Sequence, residues 1–414
     1  MIRKNRVVIT GLGALAANGI GVDAFWRSLL AGSSGIGPVT FFDATALPCR
    51  IAGEIKSFDP FDYIPSDLKP SRMARFAQLA LVASQMALKD AVLSVRDMQG
   101  KGPLPIVMGV STSSMEMFEE QYQRMLDKGP RHVNVHAAPS FYPQAAAVTM
   151  AAYLGLETRL MTLSTGCPAG LDAIAAAAAL IREGKAELAL AGGVDTPITL
   201  LTMACFCAAR MVSRRNDEPA KASRPFDRDR DGGLLAEGVG IVVLENLNHA
   251  LARGATIYAE VTGYGSQTDQ AGTSPGSAFP GAISQAVANA SHYPQDIDFV
   301  CAHGSSDVEL DRAETAALKS VMGSKAYGIP VTSIKGATGN PLAAAGPLQV
   351  ITAALGIRHG KVPPTANYEA QDPSCDLDYV SGKARSGSFG CVLVNNHGFG
   401  GANSSLLMER VAVE

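Results

Sequence analysis

The sequence predicts an α/β protein built from one duplicated fold, because three pairs of similar segments occur in the same order. The first pair, VITGLG and VTGYG, joins an apolar run to a glycine turn. The second pair, LMTLSTGCPAG and IPVTSIKGATGN, leads each time into an alanine-rich helix. The third pair, ELALAGG and CVLVNNHGFGG, is again an apolar run that meets a glycine turn. Ordered pairs of this kind indicate an internal duplication.

Apolar strands that alternate with helices predict sheets covered by helices on both faces. Each alanine-rich helix is expected to end at a glycine in C-cap position, Gly184 in one half and Gly360 in the other. The unequal spacing of the pairs predicts extra residues in the N-terminal half, over 41–139 and 200–233. With no Pro- or Ser-rich linker, we divide the chain into two packed halves, residues 1–250 and 251–414.

Composition excludes several functional classes. The 414 residues carry a net charge of −3, 47% are apolar and 18% are charged, which argues against disorder and against a basic nucleic-acid binder. The apolar runs are too short to span a membrane. The opening MIRKN runs directly into a strand-like VVIT, so we expect no signal segment and a cytoplasmic protein.

The seven cysteines are scattered and contain no CxxC pair, which favours neither a zinc site nor a disulfide framework. We therefore expect no metal site and a reducing compartment. Cys167 differs from the others, since STGCPAG lies between an apolar strand and a helix that Pro168 is suited to open. A helix N-terminus favours a thiolate and offers N–H groups to an oxyanion. The alternative is a buried structural cysteine at a tight turn.

Two histidines also follow apolar strands. His303 opens HGSSD and His397 lies in NNHGFGG, and polar groups gather at such strand-end turns. Either histidine is a candidate partner for a cysteine nucleophile. Either is equally a candidate for a hydrogen-bonded structural histidine.

Over essentially the whole chain, these segments together resemble the β-ketoacyl-[acyl-carrier-protein] synthases, the elongating class of thiolase-fold condensing enzymes. The motifs that carry the resemblance are VVITGLGALAANGIGVDAFWRSLLAGSSGI, FCAARMVSRRNDEPAKASRPFDRDRDGGLLAEGVGIVVLE, HGSSD, DRAET, SIKGATGN and GFGGAN. The resemblance implies a thiolase fold, a duplicated five-layer αβαβα arrangement with insertions in the N-terminal half.

The resemblance also implies roles for single residues. Cys167 matches the nucleophile that accepts the acyl chain, and His303 matches the first active-site histidine. Lys335 matches the active-site lysine, and Glu314 the acid that pairs with it. Phe399 matches the gating phenylalanine, whose N–H would form the oxyanion hole with that of Cys167.

The departures from the family pattern concern the substrate site. Asn340 stands where the family has its second histidine, and Asp307 stands where threonine is usual near the pantetheine. His397 occupies an aromatic position, where it either fills that slot or swings toward residue 340. Together with Ser305 and Thr112, the latter beside the acyl pocket, Asp307 and His397 are our candidate substrate contacts.

The resemblance implies that an acyl chain moves from a carrier protein to Cys167. A malonyl thioester then loses CO2, and its enolate attacks the acyl group. The Asn340 amide can donate a hydrogen bond to the enolate, but it cannot carry a proton at neutral pH. We therefore expect decarboxylative condensation. A non-elongating acyltransferase and a non-catalytic partner subunit of another ketosynthase are the alternatives.

The resemblance further implies an acidic acyl carrier protein as partner and a homodimer, with a heterodimer as the alternative. No cofactor is expected, since the phosphopantetheine that holds the substrate belongs to the carrier protein. Docking of an acidic partner needs a basic patch. The candidates for this patch are Lys69, Arg72, Arg75 and Arg210.

Overall fold

The computed structural model describes residues 5–411. Residues 1–4 and 412–414 lie outside the described residues. The first of these segments is part of the opening for which the sequence predicts no signal peptide. The strands of the main sheet, in chain order, are β1 (Val7–Ala16), β2 (Leu104–Gly109), β3 (Thr158–Leu163), β4 (Leu188–Asp195), β5 (Gly238–Asn246), β6 (Ala259–Thr268), β7 (Phe299–Cys301), β8 (Val331–Thr332), β9 (Cys391–Gly398) and β10 (Ala402–Glu409). Two-residue strands are Gly19–Ile20, Gly37–Pro38, Ile51–Ala52, Lys361–Val362 and Arg385–Ser386.

The α-helices are α1 (Val22–Leu30), α2 (Arg75–Asp90), α3 (Val95–Met98), α4 (Met115–Lys128), α5 (Ala137–Ser140), α6 (Ala145–Leu154), α7 (Ala169–Arg182), α8 (Leu200–Ala208), α9 (Pro219–Ala222), α10 (Leu247–Ala252), α11 (Phe279–Ala290), α12 (Val308–Met322), α13 (Lys335–Thr338) and α14 (Ala345–His359). Short 3-10 helices are Pro60–Asp62, Ser66–Leu68, Pro70–Arg72, Pro130–His132, Pro294–Asp296, Gly323–Gly328 and Leu342–Ala344. Within residues 5–411, no helix is both long and apolar enough to cross a bilayer.

Strand order shows the duplication directly. The N-terminal half has the order β3-β2-β4-β5-β1, and the C-terminal half has the matching order β8-β7-β9-β10-β6. Strand directions match as well: β2 is parallel to β3 and β4, while β5 is antiparallel to β4 and β1. In the second half β7 is parallel to β8 and β9, while β10 is antiparallel to β9 and β6. The predicted duplication is therefore confirmed, and each of the three sequence pairs falls on equivalent strands.

Helices form the remaining layers. Helices α7 and α14 contact each other and strands of both halves, so they lie between the two five-stranded arrays. Helices α2 and α6 cover the outer face of the first array, and α11 with α12 covers that of the second. The two arrays are joined where Val8 and Ile9 of β1 pair with β6. This is the predicted succession of five layers.

The predicted insertion over residues 41–139 is too long. Helix α2 and strand β2 lie inside that range, yet they belong to the duplicated core as the counterparts of α11 and β7. The sequences of α2 and β2 show no recognisable similarity to those of α11 and β7, since β7 has only three residues. Sequence similarity therefore understates how much of the N-terminal half is core.

Glycines allow the central layer to pack closely. A Cβ on Gly193 of β4 would lie 2.3 Å from the carbonyl oxygen of Ala343 and 2.9 Å from Cα of Gly170. A Cβ on Gly170 of α7 would lie 2.2 Å from the same oxygen. These are backbone atoms of both halves, so a side chain cannot be accommodated by a rotamer change. The contact also fixes Cys167, three residues before Gly170, against the segment that carries Asn340.

We predict that Gly193→Ala lowers the free energy of unfolding by about 2 kcal/mol or more, since overpacking of a filled core has costs of this order. Thermal and urea denaturation measure this change. Gly328→Ala is the matched control, because a Cβ there would meet nothing within 4 Å. Equal stability of the two variants would contradict the claim that this contact is closed to a side chain.

Candidate active site

One cavity of about 450 Å³ lies where the strand ends of both halves meet, and most predicted site residues line it. Cys167 follows β3, His303 follows β7, Asn340 follows α13, and Phe399 follows β9. Two duplicated arrays that face each other across α7 and α14 bring these strand ends to the same place. The topology therefore assembles the site that the sequence predicts.

Cys167 lies at a sharp turn between β3 and α7. The helix begins at Ala169, one residue later than predicted, and Pro168 already has helical dihedral angles, φ −69° and ψ −14°. Gly166 before it has φ +78°, a left-handed conformation that favours glycine. This turn directs Cys167 into the cavity wall, with 5% of the residue exposed.

The predicted thiolate is wrong for this structure. Burial raises the pKa of the Cys167 thiol to about 11, and this effect outweighs the nearby Lys335 charge and the Asn340 amide, both of which lower it. A helix N-terminus can be recognised from the sequence, whereas the desolvation of a buried thiol cannot. Cys167 is a thiol at neutral pH and needs a proton acceptor when it attacks.

His303 has a defined tautomer. The His397 backbone N–H donates to its Nδ1 at 3.1 Å, and Lys335 Nζ lies 3.2 Å from the same nitrogen. One acceptor, Asn396 Oδ1, also lies 3.1 Å from Nδ1. Because two donors face Nδ1 and only one acceptor does, Nδ1 accepts hydrogen bonds and the ring proton lies on Nε2. Burial and Lys335 hold the pKa of His303 well below its usual range, so the ring is neutral. His303 thus offers an N–H to the cavity.

Lys335 and Glu314 lie behind His303 and do not line the cavity. Lys335 Nζ donates to the carbonyl oxygen of His303, and burial lowers the pKa of the ammonium to about 8. Within residues 5–411 Lys335 and Glu314 form no direct ion pair, but their charges act on each other: Lys335 lowers the pKa of Glu314, and Glu314 raises that of Lys335. The Glu314 carboxylate instead accepts from His303 N and Gly304 N, both at 2.9 Å, and from Asn395 Nδ2 at 3.1 Å. It positions the loop that carries His303.

Asn340 lies beside the nucleophile. Its Nδ2 is 3.9 Å from Cys167 Sγ, and its backbone is fixed by bonds with Leu234 and Ala236. The amide oxygen Oδ1 is buried and has no hydrogen-bond partner within the described chain. An orphaned buried acceptor is costly, so this amide is placed for a ligand rather than for the stability of the apo fold.

The Phe399 loop lies against the nucleophile turn. A Cβ on Gly398 would approach Cys167 N to 3.1 Å and Pro168 Cδ to 2.6 Å, so only glycine fits there. The Phe399 N–H has no hydrogen-bond acceptor within residues 5–411. The ring is 52% exposed and makes an edge contact with Phe206 at 5.3 Å, across the cavity. Both features agree with the predicted oxyanion donor and gate.

Three of the four predicted substrate contacts line the cavity: Ser305, Asp307 and His397. Asp307 also caps α12, since its Oδ1 accepts from the backbone N–H groups of residues 309 and 310. Thr112 does not line this cavity. Its hydroxyl and its N–H both donate to Asp195, a buried carboxylate at the end of β4.

The predicted basic patch is smaller than expected. Lys69, Arg72 and Arg210 are exposed. Arg75 is not available to a partner, because its guanidinium donates to Glu237 and to the carbonyl oxygen of Ile55. Its side chain is partly buried, with 23% exposed.

Several residues that position the site escaped the sequence reasoning. Asn396 Nδ2 donates to Gln349 Oε1 at 2.8 Å, and Gln349 Nε2 donates to three carbonyl oxygens, including that of Ala302 at 2.7 Å. The Asn403 side chain holds His397. A usable signal was present for two of them, since Gln349 interrupts an apolar helix and Asn396 ends an apolar strand.

Comparison with known proteins shows the family of the chain. Residues 4–250 match the family model "Beta-ketoacyl synthase, N-terminal domain", and residues 258–369 match "Beta-ketoacyl synthase, C-terminal domain". This chain belongs to the beta-ketoacyl synthase family. It is a condensing ketosynthase of the kind that serves fatty-acid or polyketide synthesis, and the predicted family is confirmed.

Relatives cover the whole chain. A 3-oxoacyl-[acyl-carrier-protein] synthase 2 of Synechocystis sp. is 38% identical over 413 residues, 99% of each chain. The tetracenomycin polyketide synthase ketoacyl synthase alpha subunit of Streptomyces glaucescens is 40% identical over 417 residues, 98% of this chain and 97% of that one.

Solved structures confirm the predicted thiolase-type fold. A type II polyketide synthase ketosynthase in complex with its acyl-carrier protein superimposes with a TM-score of 0.91 at 34% identity, over 99% of this chain and 100% of that one. A beta-ketoacyl synthase from Burkholderia phymatum gives 0.90 at 33% identity, over the same shares of the two chains.

We predict that Cys167 alkylates slowly at neutral pH and that its rate with iodoacetamide keeps rising above pH 9. The reason is that the thiolate reacts and burial raises the pKa of this thiol to about 11. Mass spectrometry of the modified peptides measures the rate, and the exposed Cys205 in the same chain is the internal control. A rate for Cys167 that levels off below pH 8 would contradict the neutral thiol.

Proposed function

We propose that this ketosynthase accepts an acyl chain on Cys167 from an acyl carrier protein and condenses it decarboxylatively with a malonyl thioester. The single observation that supports this reading most is the placement of a nucleophile and two neutral hydrogen-bond donors, His303 and Asn340, on one cavity. A simple acyl carrier would need the nucleophile but not the paired donors.

In the loading step, Cys167 Sγ attacks the thioester carbon of the incoming acyl group. Negative charge develops on the carbonyl oxygen, and the N–H groups of Cys167 and Phe399 are the donors for it. The sulfur of the carrier leaves with a proton. Closure of the exposed Phe399 ring over the cavity would exclude water from the acyl-cysteine.

In the condensation step, the malonyl thioester loses CO2 and leaves an enolate. His303 Nε2–H and Asn340 Nδ2–H donate to the enolate oxygen, and neither group has to change protonation. Lys335 favours this arrangement because it donates to His303 Nδ1 and so keeps the proton on Nε2. The enolate carbon then attacks the acyl-cysteine, and the Cys167 thiolate leaves.

The partner follows from the same chemistry. A phosphopantetheine arm brings the substrate, so the chain itself requires no cofactor, and Ser305 with Asp307 is placed to meet the arm. We assign docking of the acidic carrier protein to Lys69, Arg72 and Arg210, which are exposed. All seven cysteines are free thiols, which favours the cytoplasm.

We further propose that the chain forms a dimer through the edge strand β3. Among residues 5–411 this strand pairs only with β2, and its three apolar side chains, Leu160, Met161 and Leu163, are partly exposed. Phe118 of α4 and Phe141, directly after α5, form an aromatic stack with ring centroids 4.0 Å apart. An unpaired apolar edge favours pairing with another chain, here a second copy or a related ketosynthase. Other exposed apolar residues on α4, α6, α8 and the turn before α6 are Tyr122, Leu126, Tyr142, Val148, Leu200 and Leu201.

We predict that Asn340→Ala reduces condensation about 10²-fold or more while leaving the loading of Cys167 within several-fold, since one enolate donor is lost. The assay loads Cys167 from acyl carrier protein, adds malonyl carrier protein, and follows CO2 release and product mass. Asn340→His is the matched variant, because it restores a donor and should retain condensation. Acyl-enzyme that forms in the wild type without any CO2 release would contradict condensation and favour a non-elongating acyltransferase. Absence of acyl-enzyme would favour a non-catalytic subunit.

We predict that Leu160→Asp converts the dimer to a monomer, because it places a carboxylate where the proposed interface would bury an apolar side chain. Light scattering after size-exclusion chromatography gives the mass. Leu251→Asp is the control, since Leu251 is similarly exposed but lies on α10, away from this edge. A dimer that survives Leu160→Asp unchanged would argue against this interface.

A further inference from the structure

His397 lies on the cavity wall, and neither the loading nor the condensation step above uses its side chain. The ring packs beside Phe279, with centroids 5.7 Å apart, so it fills the predicted aromatic slot. Its Nδ1 lies 2.9 Å from Asn403 Oδ1. The position of the proton on this ring decides what His397 can do.

Asn403 fixes that proton. Its Nδ2 donates to Asp269 Oδ1 and to the Gly401 carbonyl, both at 2.8 Å, and to the Gln267 carbonyl at 3.2 Å. With the amide nitrogen committed to three acceptors, Oδ1 must face His397. His397 Nδ1 therefore carries the proton, and Nε2 holds a free lone pair.

The free nitrogen is open to the cavity. Within residues 5–411, His397 Nε2 has no hydrogen-bond partner. It is also absent from the buried polar atoms that lack a partner, so this nitrogen is exposed. The two imidazoles of the cavity, with centroids 6.0 Å apart, thus have opposite tautomers. His303 presents a donor, and His397 presents an acceptor.

We propose that His397 is the general base of the loading step, resting on the function proposed above. Its Nε2 takes the Cys167 Sγ proton, directly or through one water, as Sγ bonds to the acyl carbon. When the tetrahedral intermediate collapses, the carbon–sulfur bond to pantetheine breaks and the imidazolium returns the proton to the leaving sulfur. Protons and electrons balance within the step, and no further reactant is needed.

No other imidazole of the cavity can take this role. Position 340 holds an amide, which carries no proton at neutral pH, and the cavity-facing nitrogen of His303 is already protonated. Cys167 needs an acceptor because burial keeps it a thiol. His397 is neutral at pH 7, since burial lowers its pKa below the usual value.

The charges around His397 set its titration. Burial lowers the pKa of His397 most, and Lys335 lowers it further. The hydrogen bond with Asn403 and the charges of Asp269 and Asp307 raise it, and the net direction is downward. His303, also neutral, is the remaining titratable group in contact. The loading rate should therefore fall only as the pH drops below about 6.5, the ordinary histidine value.

The test is single-turnover acylation of Cys167 by hexanoyl-pantetheine, which avoids effects on carrier-protein docking. We expect His397→Ala to slow acylation about 10²-fold, in the range of general-base catalysis. Added imidazole should raise the acylation rate of His397→Ala at least about tenfold. If His397 had only a structural role, imidazole would not restore the rate. His397→Phe, which restores an aromatic ring to the slot, should be equally slow and unresponsive to imidazole. His132→Ala, an exposed histidine, is the control for the substitution and for imidazole itself.

The pH profile gives a second readout. The wild type should keep a nearly constant rate from about pH 7 to 8, whereas His397→Phe should rise about tenfold per pH unit with the thiolate fraction. Equal rates and equal pH profiles for wild type and His397→Phe would overturn the proposal while leaving the ketosynthase function intact. Failure of the wild type to form acyl-enzyme from either this probe or acyl carrier protein would overturn both.

Discussion

The close approach of two half-folds across a pair of central helices is the constraint on which the rest of the molecule depends. Gly170 and Gly193 allow backbone from one half to pack on Ala343 of the other without intervening side chains. That contact sets the distance between the strand ends, and the strand ends carry the chemistry. A small displacement there would separate Cys167 from Asn340, which now lie at 3.9 Å.

Burial then decides the protonation states within the site. It keeps Cys167 a thiol, holds His303 neutral and lowers the pKa of Lys335 to about 8. Hydrogen bonds decide what burial leaves open, namely which nitrogen of each imidazole carries the proton. The cavity thereby holds a fixed donor and a fixed acceptor without a charge on either ring. This arrangement suits a reaction that must stabilise an oxyanion in one step and move a proton in another.

Much of the fold could be predicted from sequence, because duplicated strands and glycine turns leave a pattern that survives divergence. Cys167 and His303 could be singled out because their strand-end motifs are local, whereas Asn340 was recognised only through the resemblance to the family. The hydrogen bonds of Arg75 with Glu237 and of Thr112 with Asp195 could not be predicted, because these partners are distant in sequence. The thiolate was overestimated because a helix N-terminus is visible in sequence and desolvation is not. His397 and Asn403 face each other across the β9–β10 hairpin, a pairing that only the strand register reveals.

The opposite tautomers of His303 and His397 are the central claim, and nitrogen NMR of histidine-labelled protein tests it most directly. Two-dimensional spectra at pH 7 distinguish a protonated from an unprotonated nitrogen in each ring, and His397→Phe and His303→Gln assign the signals. The predicted result is a neutral His303 protonated on Nε2 and a neutral His397 protonated on Nδ1. The same tautomer in both rings, or an imidazolium at His303, would contradict the account.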